Sequence, residues 1–244
     1  MNTHGDKQQG RYFRQTEMDG WGEEAQKRVA DSTVLVAGAG GLGSPVSLYL
    51  AAAGVGTLIL WDYDDVSLSN LNRQILYSTD DIGREKSSAA AAHLNRLNPE
   101  IELQAISTKI TEESLARLAV NADLIVDCMD NMAARYLLNS FAVSRKIPLV
   151  HGGVQETNGQ VMVIPAGGKP CLECLFGGAD SGREVPVLGA AVGIIGSMEA
   201  LEALKLLSGY GTPLAGRLLI CEGFSARYQE IEISPDPGCP VCGG

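Results

Sequence analysis

Thr33-Val34-Leu35-Val36-Ala37-Gly38-Ala39-Gly40-Gly41-Leu42-Gly43-Ser44-Pro45 is the stretch that decides the fold. Thr33 to Ala37 reads as a strand buried on both faces, and Pro45 to Ala53 as an apolar helix. Pro45 falls in the first helical turn, where no backbone N–H bond is lost. Between strand and helix, Gly38, Gly40 and Gly43 match G-x-G-x-x-G, with Gly41 inside the motif. Glycines there allow a tight turn and close approach of the backbone to a ligand. The helix N-terminus adds free N–H groups and a partial positive charge that suit phosphate. Thr57 to Trp61 is a second strand, and Asp62 ends it about 20 residues after the turn, the usual place for a carboxylate on a ribose hydroxyl. The pattern predicts a Rossmann-like nucleotide site and does not separate NAD from ATP.

Outward from this corner, strands and helices alternate. Gly22 to Ala30 is an amphipathic entry helix, and Arg84 to Leu97 is an Ala-rich helix stopped by Asn98-Pro99. Ile101 to Ile106 alternates as a strand, Thr111 caps a helix to Val120, and Leu124 to Cys128 is a buried strand. Asn131 to Lys146 is a helix and Ile147 to Val150 a strand. This alternation implies a parallel, doubly wound sheet. After His151 the pattern changes: Gly159 to Ile164, Arg217 to Cys221 and Ala226 to Ile233 are strands, with one long helix at about Gly193 to Leu207. The expected fold class is therefore α/β: a Rossmann-like doubly wound sheet extended by antiparallel strands. One domain spans 1–244, with nucleotide binding in about 1–150 and a strand-rich part in about 151–244.

A chain of 244 residues with 45% hydrophobic content can bury a good core. Its net charge of −10 argues against nucleic acid, which needs a basic surface. No N-terminal signal is visible, and the longest apolar stretch, Val185 to Leu207, carries Glu199, Glu202 and Lys205, which disfavours a membrane span. The expectation is a cytoplasmic protein with no nucleic-acid or membrane partner.

Two further groups of residues carry chemistry. Ser69-Asn70-Leu71-Asn72-Arg73-Gln74 and Lys86 place cations just after the glycine turn. Phosphates gripped by charge suit reaction at phosphorus better than hydride transfer. Cys171-x-x-Cys174 and Cys239-x-x-Cys242 are paired knuckles, which in a reducing compartment read as a closed, structural Cys₄ zinc site. Cys128 and Cys221 lie in apolar strands and read as core thiols.

Taken in order, Arg11 to Gln15, Gly38 to Ser44, Val66 to Gln74, Lys86, Asp127-Cys128-Met129-Asp130-Asn131 and the two C-x-x-C pairs resemble the MoeB/ThiF/HesA adenylyltransferases, bacterial relatives of ubiquitin-activating enzymes. The resemblance runs from about Arg11 to the C-terminus. It implies ATP and Mg²⁺ as cofactors beside Zn²⁺. It also implies adenylation of the C-terminal Gly-Gly carboxylate of a small ubiquitin-like (β-grasp) sulfur carrier, by a homodimer, in thiamine or molybdopterin-type biosynthesis. Arg14 (from the partner subunit), Arg73, Lys86 and Asp130 become the catalytic set. Gly38, Gly40, Gly41, Gly43, Asp62, Ser69, Asn70, Gln74 and Asn131 join them around the nucleotide, with Asp130 as the magnesium ligand and Cys171, Cys174, Cys239 and Cys242 as the zinc ligands. Two alternatives stand beside this reading: a NAD-binding oxidoreductase, and a relative that adenylates a non-protein substrate. The former gives Arg73, Lys86 and Asp130 no role.

One departure matters. Many relatives carry a loop cysteine before the apolar segment near Pro186, whereas Gly177 to Glu184 has none. The expectation is direct transfer of the acyl-adenylate to a separate sulfur donor, with no rhodanese-like domain after Gly244 to supply sulfur.

Overall fold

The computed structural model describes residues 10–178 and 186–243. Eight strands form one sheet: β1 (Thr33–Ala37), β2 (Thr57–Trp61), β3 (Glu102–Ile106), β4 (Leu124–Asp127), β5 (Leu149–Gln155), β6 (Asn158–Ile164), β7 (Arg217–Glu222) and β8 (Arg227–Glu232), in the order β3-β2-β1-β4-β5-β6-β7-β8. β1 to β5 are parallel and β5 to β8 antiparallel. The helices are α1 (Phe13–Thr16), α2 (Gly22–Ala30), α3 (Gly43–Ala53), α4 (Lys86–Leu97), α5 (Glu112–Leu118), α6 (Met132–Arg145), α7 (Leu172–Phe176) and α8 (Gly189–Ser208).

Alternation along β1 explains the layers. Val34 and Val36 face one core, shared with α2, α3, α4 and α8, while Leu35 and Ala37 face a second, under α5, α6 and α7. Truncating a fully buried leucine such as Leu35 to alanine costs about 2–5 kcal/mol. Strand order reverses between β1 and β4, since the chain winds outward through β2 and β3 on one side and through β5 on the other. In such sheets the crevice beyond the carboxyl ends of the strands at this switch point takes the ligand.

Several boundaries differ from the sequence reading, each for a local reason. α8 starts at Gly189, not near Gly193. Two of its glycines are places of close packing: a Cβ on Gly189 would lie 2.4 Å from the Asn72 carbonyl oxygen, and one on Gly196 2.5 Å from Pro45. β5 runs through His151 to Gln155, because its far half pairs with β6 across a tight antiparallel turn. α4 begins at Lys86. At α6 the side chain of Asn131 accepts the Ala134 N–H and caps the helix, with Lys146 left-handed at its other end. Among the described residues no helix is long and apolar enough to cross a membrane.

Candidate active site and four-cysteine knuckle

The glycine turn is fixed from below. Gly38 has φ +94°, and a Cβ there would lie 2.7 Å from the Cys128 carbonyl oxygen. A Cβ on Gly43 would strike the Gly38 oxygen at 1.9 Å, so only glycine lets α3 start this close to β1. Asp62 Oδ2 accepts the Ala39 N–H at 2.8 Å, and the buried Tyr77 hydroxyl donates to the Ala39 carbonyl at 2.7 Å. With that carbonyl held toward the core, the N–H of Gly40 in the same planar peptide points the opposite way, toward the crevice. Asp62 Oδ1 accepts the Asp64 N–H at 2.9 Å. Burial raises the Asp62 pKa above the ordinary carboxylate value, with the Lys86 charge and the two N–H groups working against it.

The segment after β2 folds over this turn. Asn70 Oδ1 accepts the Ser67 N–H, and the Ser69 and Ser67 hydroxyls meet at 3.0 Å, so these side chains shape the loop itself. Arg73 donates to the Ser69 carbonyl at 3.0 Å, and its Cγ would lie 3.8 Å from a Cβ on Gly41. Gln74 is buried, with its amide nitrogen beside Gly40 and its Oε1 without a partner. Lys86 opens α4 as a buried ammonium, its side chain 6% exposed and 2.9 Å from Asp64. The structure thus gathers Gly38, Gly40, Gly41, Gly43, Asp62, Ser69, Asn70, Arg73, Gln74 and Lys86 about one corner.

Beyond β4, Met129 approaches Gly38, so the turn holding Asp130 borders the same crevice. Asp130 is exposed; it does not cap α6, since Asn131 does, and its Oδ1 lies 3.3 Å from the Asn131 amide nitrogen. An exposed carboxylate free of the cap fits a magnesium site, which takes one or two carboxylates with phosphate oxygens. Arg14 is not part of this gathering. α1 is pinned to the opposite end of α3, where Gln15 donates to the Ala53 carbonyl, Asn98 donates to the Tyr12 hydroxyl, and the Tyr12 ring fills the space beside Gly54. At 1.5 Å per residue, α3 separates Arg14 from the glycine turn by about 15 Å.

A buried polar cluster went unread in the sequence. His151 donates from Nδ1 to Asp127 Oδ2 at 2.8 Å, both side chains fully buried. On the other side of the sheet Glu199 is fully buried with its carboxyl against Gly152, and Cys128 Sγ lies 4.0 Å from Glu199 Oε1. Burial holds His151 below its ordinary pKa and drives Glu199 and Cys128 well above theirs. The signal was available: ionisable residues inside apolar runs at 124–128, 147–151 and 189–207. Glu199 and Glu202, which in the sequence disfavour a membrane span, are both buried; Glu202 accepts the Leu214 N–H and pairs with Lys205.

The four knuckle cysteines converge. Their sulfurs lie within 4.8 Å of one another, with Cys171–Cys239 at 3.7 Å and Cys174–Cys242 at 3.4 Å. A tetrahedral site with Zn–S bonds near 2.3 Å needs sulfurs ~3.8 Å apart. Asn139 Oδ1 accepts the Leu172 N–H at 3.0 Å, and its buried Nδ2, without a partner of its own, lies beside Cys171 as a donor for a thiolate. The donor set fits a metal ion. Cys128 and Cys221 are buried and free, as core thiols.

The fold and these two sites define a nucleotide-binding α/β protein with a cysteine knuckle on its antiparallel side. The chain belongs to the ThiF family, which it matches over residues 12–241. It is 44% identical over 239 residues to the sulfur carrier protein ThiS adenylyltransferase of Escherichia coli K12, covering 96% of this chain and 95% of that one. It is 40% identical over 243 residues to the molybdopterin-synthase adenylyltransferase of the same organism, covering 98% of each. Among solved structures, E. coli MccB with succinimide shares the fold at a TM-score of 0.88 and 23% identity, covering 98% of this chain and 75% of that one. Residues 179–184, where a loop cysteine is missing, lie outside the described residues.

Proposed function

We propose that the protein adenylates the C-terminal glycine of a small ubiquitin-like sulfur carrier, at the expense of ATP. The observation that carries this reading is the convergence of Arg73, Gln74 and the buried Lys86 on the glycine turn, opposite the exposed Asp130. A carboxylate approaching the α-phosphorus meets a polyanion. One carboxylate–phosphorus bond forms while the bond to the departing pyrophosphate breaks. Arg73, Lys86 and the Gly40 N–H offset the negative charge of both partners, and groups so preorganised contribute several kcal/mol. Asp130, with Asn131 beside it, would hold magnesium, which when bound neutralises phosphate charge. Nucleophilic sulfur supplied by a separate donor then attacks the acyl carbon, and the carbon–sulfur bond forms as the acyl–oxygen bond breaks and AMP leaves, on the way to a thiocarboxylate for a thiamine or molybdopterin-type pathway. Hydride transfer would leave these cations without work.

Two surfaces support the partners. Tyr49, Ile75, Leu97, Ile194, Met198 and Leu201 line an open apolar groove of about 800 Å³ between α3 and α8. It runs from Ile75, next to Arg73, to Leu97, next to the Asn98 that holds Tyr12. A twofold contact along it brings one copy's α1 toward the other's glycine turn, which gives Arg14 a site to serve in the partner. On the antiparallel side Phe224, Tyr228 and Ile231 stand exposed on the β7–β8 hairpin, and the carrier docks there. Zinc bound by Cys171, Cys174, Cys239 and Cys242 ties the tail to α7.

The test is ATP–pyrophosphate exchange dependent on a small protein ending in Gly-Gly, with sedimentation for the dimer. Micromolar binding of nicotinamide cofactors without ATP binding would overturn the reading.

A further inference from the structure

We propose that His151 is the positioning residue of the turn that presents Asp130, and that the knuckle helix α7 braces it from behind. The inference rests on the magnesium role proposed for Asp130. Asp127, the last residue of β4, is the register partner of His151 in the parallel strand β5. Asp127 uses both oxygens: Oδ2 accepts from His151 at 2.8 Å, and Oδ1 accepts the Met129 N–H at 3.1 Å. Arg135 grips the Met129 carbonyl through Nε and Nη2. Both peptide groups of Met129 are therefore fixed, and Asp130 follows directly.

The two ends of α7 reach the two elements that flank Asp130. At its start the Leu172 N–H is held by Asn139 of α6, the helix that leaves the turn. At its end the Phe176 ring packs edge-to-face on His151, centroids 5.7 Å apart, and His151 holds Asp127 of β4, the strand that enters the turn. His151 Nε2 has no partner, so the ring is placed by one hydrogen bond and by Phe176. An apolar pair in these positions would serve stability as well as a buried acid–base pair does. What the pair adds is direction, since only a carboxylate anchored on one oxygen can aim the other at Met129.

The experiment is calorimetric titration of ATP with and without Mg²⁺, and Mn²⁺ binding by electron paramagnetic resonance, on His151→Phe, His151→Asn and Phe176→Leu in the full chain. Groups that orient metal ligands are worth about 10–100-fold in metal affinity. His151→Phe is expected to lose at least about tenfold of the magnesium-dependent gain in ATP affinity while metal-free ATP binding stays at the wild-type value. His151→Asn, which keeps a donor for Asp127, restores most of it, and Phe176→Leu falls between. Unchanged magnesium gain in all three variants, or an equal loss with and without metal, would overturn the proposal. An Asp130→Ala control that keeps the full magnesium effect would instead remove the assignment of Asp130 and the inference with it.

Discussion

The phosphate corner and the cysteine knuckle are built on opposite plans. At the corner, groups that do not themselves do chemistry set the geometry: Tyr77 and Asp62 hold Ala39, and glycines 38 and 43 admit close backbone contact. Arg73 and Asp130 reach out of a frame that stands without them. At the knuckle the ligands are themselves the frame, since the tail at 236–243 meets the α7 segment through sulfur: Asp236 N–H donates to Cys174, and Cys239 and Cys242 lie against Cys171 and Cys174. Function and stability are thus separable at the first site and fused at the second.

The largest expected effect tests the fused side. Purified protein should carry about one zinc per chain, and Cys239→Ser should lose it, since the metal contributes on the order of 10 kcal/mol in small zinc units. Metal analysis and thermal melts check this, with a lowered Tm and a protease-sensitive tail expected. Zinc-free wild-type protein prepared without chelator would break the comparison. Next, Arg73→Ala, Lys86→Met and Asp130→Ala should each cut carrier-dependent exchange about 10²–10³-fold. Arg73→Ala and Asp130→Ala should move stability by no more than ~0.5 kcal/mol, as measured by urea denaturation.

A smaller effect sharpens the claim that the corner is braced from within. Asp81, buried in the loop ahead of Lys86, pays desolvation, but the Ser78 N–H and hydroxyl and His93 outweigh it and hold its pKa at about 2. A pKa depressed on folding stabilises above the unfolded value of 3.8 and ceases to do so as the pH falls through about 2. Asp81→Asn should therefore cost on the order of 2 kcal/mol at pH 7, and the gap from wild type should close as denaturation is repeated from pH 4 downward. The smallest effect falls on the two core thiols. Cys128→Ala and Cys221→Ala should each cost about 1 kcal/mol and leave adenylation and thiocarboxylate formation intact. A reductant-sensitive carrier–enzyme adduct, lost in Cys128→Ala, would show covalent chemistry where none is expected.

The corner was legible in the sequence because its requirements are local: a strand, a glycine turn and a helix follow one another, and the cations come within one loop. The knuckle was legible because C-x-x-C spacing is itself a geometry. What escaped depends on contacts distant in the chain. Asp127, His151 and Glu199 become neighbours only when β4, β5 and α8 assemble, and each taken alone looks like a polar interruption of an apolar run. The early start of α8 escaped because a glycine gives a helix no start signal, and nothing nearby in the chain explains Gly189 or Gly196. They are the residues that let α8 lie against the Arg73 loop and α3. Helix α7 is too short to show a period.

The place of Arg14, at the far end of α3 from its own glycine turn, has a genetic consequence. On the proposed dimer, an Arg14→Ala allele and a Lys86→Met allele are each null alone, yet they complement in trans. A mixed dimer carries both lesions in one site and leaves the other whole, so random assortment restores about a quarter of full activity. Both changes placed on one polypeptide cannot be rescued by either single mutant.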